Sequence, residues 1–370
     1  MFKFLHISDL HIGKRLNAFN LAEDQRFILS SIINIAKEKG VDAIFVSGDV
    51  FDNANPGEEA VSIVNDFLAS LNENGIKAFV IYGNHDPMQK LSYLSSIVEK
   101  QGLYISKAFD GNVEKRSIGD VDIYMLPFIR PIDIRTRYPE KGVKTINDAI
   151  RIVLDDFNLD NDRIKILLSH QFITSAEGSG SEEQYVGGEY GVDYHLFENF
   201  DYVALGHIHG AQAVGLDKIR YSGSPLKYSI SEKRDKVCIY GELSKEDGLS
   251  LEEIKLKPLR DIILLKGSFD QIITLADNKN DYIHITLIDE EDVTNASLRL
   301  SNKFPYYLGL VYDNSRTRRE RVEYPDSEYE PDKSPLEYFV ELFKKQTDRS
   351  PGEKQLEILE QTIEDIWRTK

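Results

Sequence analysis

Short apolar runs alternate with amphipathic stretches over the first ~255 residues. Phe2–Ile7 is an apolar run that ends in Ser8-Asp9. Residues 21–39 carry Phe27, Ile28, Ile32 and Ile35 at helical spacing and stop at Gly40, which predicts a capped helix. Residues 42–46 read as a second strand. Residues 58–74 read as a second helix with Val61, Val64, Phe67, Leu68 and Leu71 on one face. Residues 77–82 read as a third strand. Strand, helix, strand, helix, strand points to parallel pairing through right-handed crossovers. Beyond Gly102 the pattern turns strand-rich, with strands expected at 122–125, 164–169, 202–205, 218–221 and 237–243 and a helix at 145–157. A Gly-, Ser- and Glu-rich loop spans 174–192.

The pattern changes near Pro258. Residues 258–314 alternate strand and helix as a small α/β unit, and 315–334 read as a linker with a basic cluster at Arg316, Arg318, Arg319 and Arg321. The segment 335–370 reads as two amphipathic helices. Leu336, Phe339, Val340 and Phe343 form one stripe, and Leu356, Leu359, Ile363, Ile366 and Trp367 the other.

The apolar share of 41% is enough for a core, and no run approaches the ~18 apolar residues of a membrane helix. The single cysteine, Cys238, excludes an internal disulfide and a cysteine-built zinc site. The expectation is a soluble, cytoplasmic chain. The formal charge of −17 argues against a protein that coats nucleic acid by itself. It leaves a nuclease open, because metal-holding carboxylates count against net charge and a partner can supply basic surface.

Chemistry-bearing residues follow the apolar runs. Asp9-Leu10-His11 follows the first strand, Gly48-Asp49-Val50-Phe51-Asp52 the second, and Gly83-Asn84-His85-Asp86 the third. His170 and Gly206-His207-Ile208-His209 follow two later ones. A lone histidine at a strand end is ordinary; five of the eight histidines in such clusters are not. Loops at the carboxyl ends of parallel strands face one crevice. Imidazole and carboxylate donors suit manganese, zinc or iron, and a pair of ions about 3.5–4 Å apart needs a bridging carboxylate. His6, His195 and His284 read as structural.

As a set, these five blocks resemble the calcineurin-like metallophosphoesterases. Ile7-Ser8-Asp9-Leu10-His11-Ile12-Gly13, the run from Phe200 to His209, and Ser222-Gly223-Ser224-Pro225-Leu226-Lys227-Tyr228 resemble one branch of that superfamily, the double-strand-break repair nucleases of SbcCD type. The resemblance implies a four-layer α-β-β-α sandwich over 1–257, a capping domain over 258–314, and partner-binding helices over 335–370. It implies two divalent ions, most simply manganese. Asp9, His11 and His209 would hold one, Asn84, His170 and His207 the other, with Asp49 bridging. His85 would protonate the leaving oxygen and Asp86 would orient His85. Asp52 matches the bacterial pattern and is expected to be structural or orienting.

The implied reaction is in-line hydrolysis of DNA phosphodiesters, 3′–5′ exonucleolytic at duplex ends and endonucleolytic on single strands or hairpins. Lys14 and Arg15 are placed to touch substrate phosphate. Leu336, Phe339, Phe343, Leu359, Ile363 and Trp367 would grip an SbcC-like coiled-coil ATPase, within a heterotetramer built on a homodimer of this chain. The alternative is a small-substrate phosphoesterase acting on nucleotides or phosphoproteins. A catalytically silent DNA-end scaffold is disfavoured by the intact His85.

Overall fold

The computed structural model describes all residues except 94, 156, 158, 161, 179–180, 182–190, 276–279, 318–333, 348, 353, 357, 360–361 and 364–370. Two compact units are formed. The first comprises residues 1–182 and 191–319, and the second takes in the C-terminal segment.

Two six-stranded sheets face each other in the first unit. One runs, edge to edge, Gly248–Lys255, Val237–Ser244, Phe2–Ile7, Ala43–Ser47, Lys77–Ile81, Leu103–Ile105. The other runs Gln212–Val214, Leu216–Tyr221, Tyr202–Gly206, Ile164–His170, Val121–Leu126, Glu114–Ile118. The central strands of each sheet pair in parallel, so their carboxyl ends lie along one rim. Between the sheets, Phe4, Phe45 and Phe79 meet Ile123, Ile166, Leu168 and Tyr202, all fully buried. The Phe4 and Tyr202 rings lie 4.7 Å apart.

Each sheet is covered on its outer face. Helices Ala22–Lys39 and Glu58–Glu73 lay Ile28, Ile32, Phe67 and Leu71 against Leu5, Ile7, Ile44 and Val46. Helices Pro131–Arg137 and Ile146–Asp155 lay Ile134, Ile150 and Val153 against Leu126, Leu167, Val203 and Leu205. The result is the expected α-β-β-α sandwich. The first helix ends where the sequence requires. Gly40 is left-handed at φ 62° and its amide caps the Ala36 and Lys37 carbonyls.

Two expectations change. Helical spacing puts Phe27 and Val61 on apolar stripes, yet they are 41% and 48% exposed. The buried rows run Gln25, Ile28/Leu29, Ile32/Ile33, Ala36 in one helix and Ala60, Ile63/Val64, Phe67, Leu71 in the other. Val61 sits about 100° around its helix from the buried row, and Phe27 about 170°, on the opposite face.

A three-stranded parallel sheet, Ile262–Gly267, Tyr282–Leu287 and Tyr307–Tyr312, carries helices Phe269–Thr274 and Ala296–Lys303 around its own core of Phe269, Ile283, Ile285, Leu300 and Phe304. It is tied to the sandwich through buried Asp24. Asp24 accepts from the Arg260 guanidinium and from the Tyr282 hydroxyl, both at 2.9 Å.

In the second unit, helix Pro335–Thr347 places Phe339 and Phe343 one turn apart, with ring centroids 6.0 Å apart and the planes tilted by 33°. Leu336 lies on the same stripe. Leu359 and Ile363 are helical, and Trp367 lies outside the described residues. No described helix is long and apolar enough to cross a membrane.

Candidate metal centre

The rim of the sandwich is where the chemistry collects. Asp9 and His11 follow Phe2–Ile7, Asp49 follows Ala43–Ser47, and Asn84, His85 and Asp86 follow Lys77–Ile81. His170 ends Ile164–His170, and His207 and His209 follow Tyr202–Gly206. The backbone bends sharply to present them. Among the described residues six non-glycine residues have positive φ, and four of these are Asp9, His11, Asp49 and His207. Backbone strain of this kind persists only where the surroundings enforce it.

Here the surroundings are hydrogen bonds between the rim loops. Asp9 N–H donates to the Gly48 carbonyl at 3.0 Å, and His11 N–H to the Asp49 carbonyl at 2.9 Å. The Asp9 carboxylate accepts the His207 amide at 3.0 and 3.2 Å, which joins one sheet to the other. Gly206 lets the sheets close to this distance. A Cβ there would lie 1.9 Å from the Ser47 carbonyl oxygen and 2.8 Å from Nδ1 of His170.

Two ligand groups form around one carboxylate. Asp9, His11 and His209 converge on one side, with Nε2 of His11 and Nε2 of His209 only 3.1 Å apart. On the other side Oδ1 of Asn84 lies 3.0 Å from Nε2 of His170 and 3.1 Å from Nδ1 of His207. Asp49 stands between them. Its Oδ1 accepts the His85 amide at 2.9 Å. Its Oδ2 lies 3.3 Å from Nε2 of His170, 3.7 Å from Nε2 of His11 and 4.0 Å from Nε2 of His85.

These contacts fit a pair of cations. His170 Nδ1–H donates to the Ser47 carbonyl at 2.8 Å, so in the neutral ring Nε2 presents a lone pair toward the Asp49 and Asn84 oxygens. With the ring neutral, acceptors converge on acceptors, so either a proton on Nε2 or a metal cation in its place must lie between them. The charges of the group pull the same way. Burial works to lower the pKa of His170, but the Asp49 and Asp9 carboxylates raise it to about 9. For Asp49, burial works upward, but His170, His11 and His85 hold it well below the usual carboxylate range. His11, dominated by burial, is lowered. A divalent ion satisfies the same lone pairs.

His85 sits at the edge of this centre, with its ring centroid 5.0 Å from that of His11. Asp86, expected to orient the His85 ring, makes its hydrogen bonds to backbone amides, and the ring is bonded by Asp52. Nδ1–H of His85 donates to the Asp52 backbone carbonyl at 3.1 Å, which leaves Nε2 facing the site. Asp86 anchors the loop. Its carboxylate accepts the backbone amides of Gly83 and Phe51 at 2.8 Å and of Val50 at 3.1 Å. Burial and the nearby Asp49 push its pKa up to about 6 against those amides.

Asp52 also ties Lys14 to the rim. Lys14 Nζ donates to Asp52 Oδ1 at 2.7 Å, and the same oxygen lies 3.5 Å from Nδ1 of His11. Arg15 is exposed and its guanidinium turns back onto the Ala18 carbonyl. It lines a groove of about 360 Å³ with Asn17, Tyr228, Ser229 and His284. Sequence reasoning assigns Tyr228 no task. Its buried ring packs 5.6 Å from His11 and 6.1 Å from His209, and its hydroxyl donates to the Leu10 carbonyl. Only its place in the Ser222–Tyr228 run hints at this.

Comparison with known proteins is consistent with this picture. The model of the calcineurin-like phosphoesterase family matches residues 2–211. A Staphylococcus epidermidis protein, named as the SbcD component of the nuclease SbcCD, is 32% identical over 325 residues, 85% of this chain and 87% of that protein. Two solved structures are also similar to parts of this chain. A dimetal phosphatase from Danio rerio is 12% identical with a TM-score of 0.40, over 69% of this chain and 96% of that one. A Thermus thermophilus protein is 13% identical with a TM-score of 0.38, over 68% and 98%.

Proposed function

The chain belongs to the calcineurin-like phosphoesterases, and from that premise we propose that it is the nuclease subunit of an SbcCD-like complex, hydrolysing DNA phosphodiester bonds. The observation that carries the chemistry is the position of Asp49, whose Oδ2 faces imidazoles of both ligand groups. The likeness to the Staphylococcus nuclease component supports DNA as the substrate. Cleavage is 3′–5′ at duplex ends and endonucleolytic on single strands and hairpins, in DNA repair, recombination and replication in the cytoplasm.

Asp9, His11 and His209 would hold one ion and Asn84, His170 and His207 the other, with Asp49 placed to serve both. Manganese is the proposed metal. When bound, such ions lower the pKa of a water molecule and offset charge on phosphoryl oxygens. The chain's own residues do the rest. The Asp52 carbonyl holds the Nδ1–H of His85, so that in its imidazolium form the ring gives its Nε2 proton to the leaving oxygen and is left neutral with Nδ1 still protonated. Lys14, held by Asp52, and Arg15 meet substrate phosphates at the rim. The stripes that include Leu336, Phe339, Phe343, Leu359, Ile363 and Trp367 bind the coiled coil of an SbcC-like ATPase, in an assembly that pairs two copies of this chain. The experiment is cleavage by the full chain with manganese, with and without that ATPase, of a blunt duplex, a hairpin and a small chromogenic phosphodiester. DNA cleavage enhanced by the ATPase is expected. Turnover of the small ester alone would move the chain to the small-substrate branch.

A further inference from the structure

Glu232 lies outside every motif of the rim, yet it is buried against it. Its side chain is 1% exposed. Oε1 accepts the Ser181 hydroxyl at 2.7 Å and the Tyr228 amide at 3.1 Å, and lies 3.5 Å from Nδ1 of His209. Oε2 pairs with the ammonium of Lys236, itself buried. Ser181 Oγ is also 2.7 Å from Nδ1 of His209.

Proton counting fixes the direction of this chain. A carboxylate only accepts, so the single Ser181 hydroxyl proton goes to Glu232. Ser181 Oγ must then accept from His209, which puts the ring proton on Nδ1. The lone pair of His209 is left on Nε2, the atom that faces His11 in the ligand group. Lys236 acts at the other end of the same residue. Its ammonium donates to the His209 carbonyl at 2.8 Å and to Ser224 Oγ at 2.8 Å. Ring and backbone of one ligand are thus held by one buried ion pair.

We propose that Glu232, through Ser181 and with Lys236 as its counter-ion, is a positioning residue that sets the tautomer and rotation of His209 for the ion held by Asp9, His11 and His209. This rests on the two-ion reading above. The carboxylate–histidine–metal arrangement raises ligand basicity, and loss of such a partner weakens metal binding by roughly 10–100-fold.

The test is calorimetric titration of manganese into the chelated full chain, with electron paramagnetic resonance to distinguish a coupled ion pair from a lone ion. Wild type should take up two ions. Glu232→Gln should weaken one of them by roughly 10–100-fold and replace the coupled signal by that of a lone ion, while the other ion keeps its affinity. Ser181→Ala should weaken the same ion less, because the carboxylate can close on Nδ1 directly. If Glu232→Gln does not fold, Glu232→Gln combined with Lys236→Met removes the buried pair as a whole and gives the same reading. Two ions bound at wild-type affinity, or both weakened equally, would overturn the proposal while leaving the two-ion reading intact. A wild-type chain that binds no ion would sink the two-ion reading and this with it.

Discussion

Nδ1 of His85 donates to the backbone carbonyl of Asp52 at 3.1 Å, and this bond decides which histidine nitrogen faces the metal centre. The contact is to main chain, so it survives most substitutions of the Asp52 side chain. Asp86, next to His85 in sequence, serves the backbone instead, and the two acidic residues therefore give different outcomes when changed.

Asp86→Asn is expected to cost stability before chemistry. An amide offers one acceptor oxygen where three backbone N–H groups converge, and its own N–H₂ opposes the third. One buried amide left unpaired costs about 1–3 kcal/mol, partly offset by lost repulsion with Asp49. Urea denaturation of the metal-free protein measures this. A large loss of turnover at unchanged stability would place Asp86 in the chemistry.

Gly206→Ala should be among the most damaging single methyl additions in the chain. The new Cβ meets the Ser47 carbonyl and His170 at once, and both are fixed by a hydrogen bond to each other. A loss of about 3 kcal/mol or more is expected. Gly40→Ala is the control. Its φ of 62° is unfavourable for alanine but nothing lies within 4 Å, so about 1–2 kcal/mol is expected. Thermal unfolding of the two variants side by side checks the order.

His6 predicts a pH dependence of folding. It is fully buried between the Tyr202 hydroxyl and the Leu205 carbonyl, and burial lowers its pKa to about 3. The unfolded chain binds the proton first, near pH 6.5. The stabilisation is therefore fully present above pH 6.5 and is lost as pH falls through that value toward 3. Between pH 7 and 5 wild type should lose about 2 kcal/mol more than His6→Gln. Urea titrations of both chelated proteins at the two pH values provide the comparison. Equal losses would mean that His6 is charged in the folded state.

Removal of residues after Ser334 should abolish association with an SbcC-like ATPase while sparing manganese-dependent cleavage of short DNA. Co-purification reads the first and a gel assay the second. A truncated chain that still associates at full strength would move the partner surface elsewhere.

The sandwich and the rim are legible in the sequence because apolar periodicity marks strands and helices, and the clusters come directly after the strands. Gly248–Lys255 escapes that reading. It is an edge strand with one solvated face, and Glu252, Glu253 and Lys255 mask its alternation. The positive φ of Asp9, His11 and Asp49 leaves no composition signal, because residues made for turns and residues made for metals are the same types. Asp86 reads as the partner of His85 only by proximity in sequence, and a main-chain acceptor such as the Asp52 carbonyl has no letter in the sequence. Glu232 reaches His209 only through the return of the chain after Ser222.

The most direct test of the account is single-turnover cleavage of a blunt DNA duplex by His85→Ala, with manganese binding measured on the same preparation. The ring of His85 is no ligand in this account, so two ions should bind as in wild type while cleavage falls by about 10²–10⁴-fold. Wild-type cleavage by His85→Ala would contradict its role as proton donor. Loss of an ion together with activity would make His85 a ligand, and the division of the rim proposed here would be wrong.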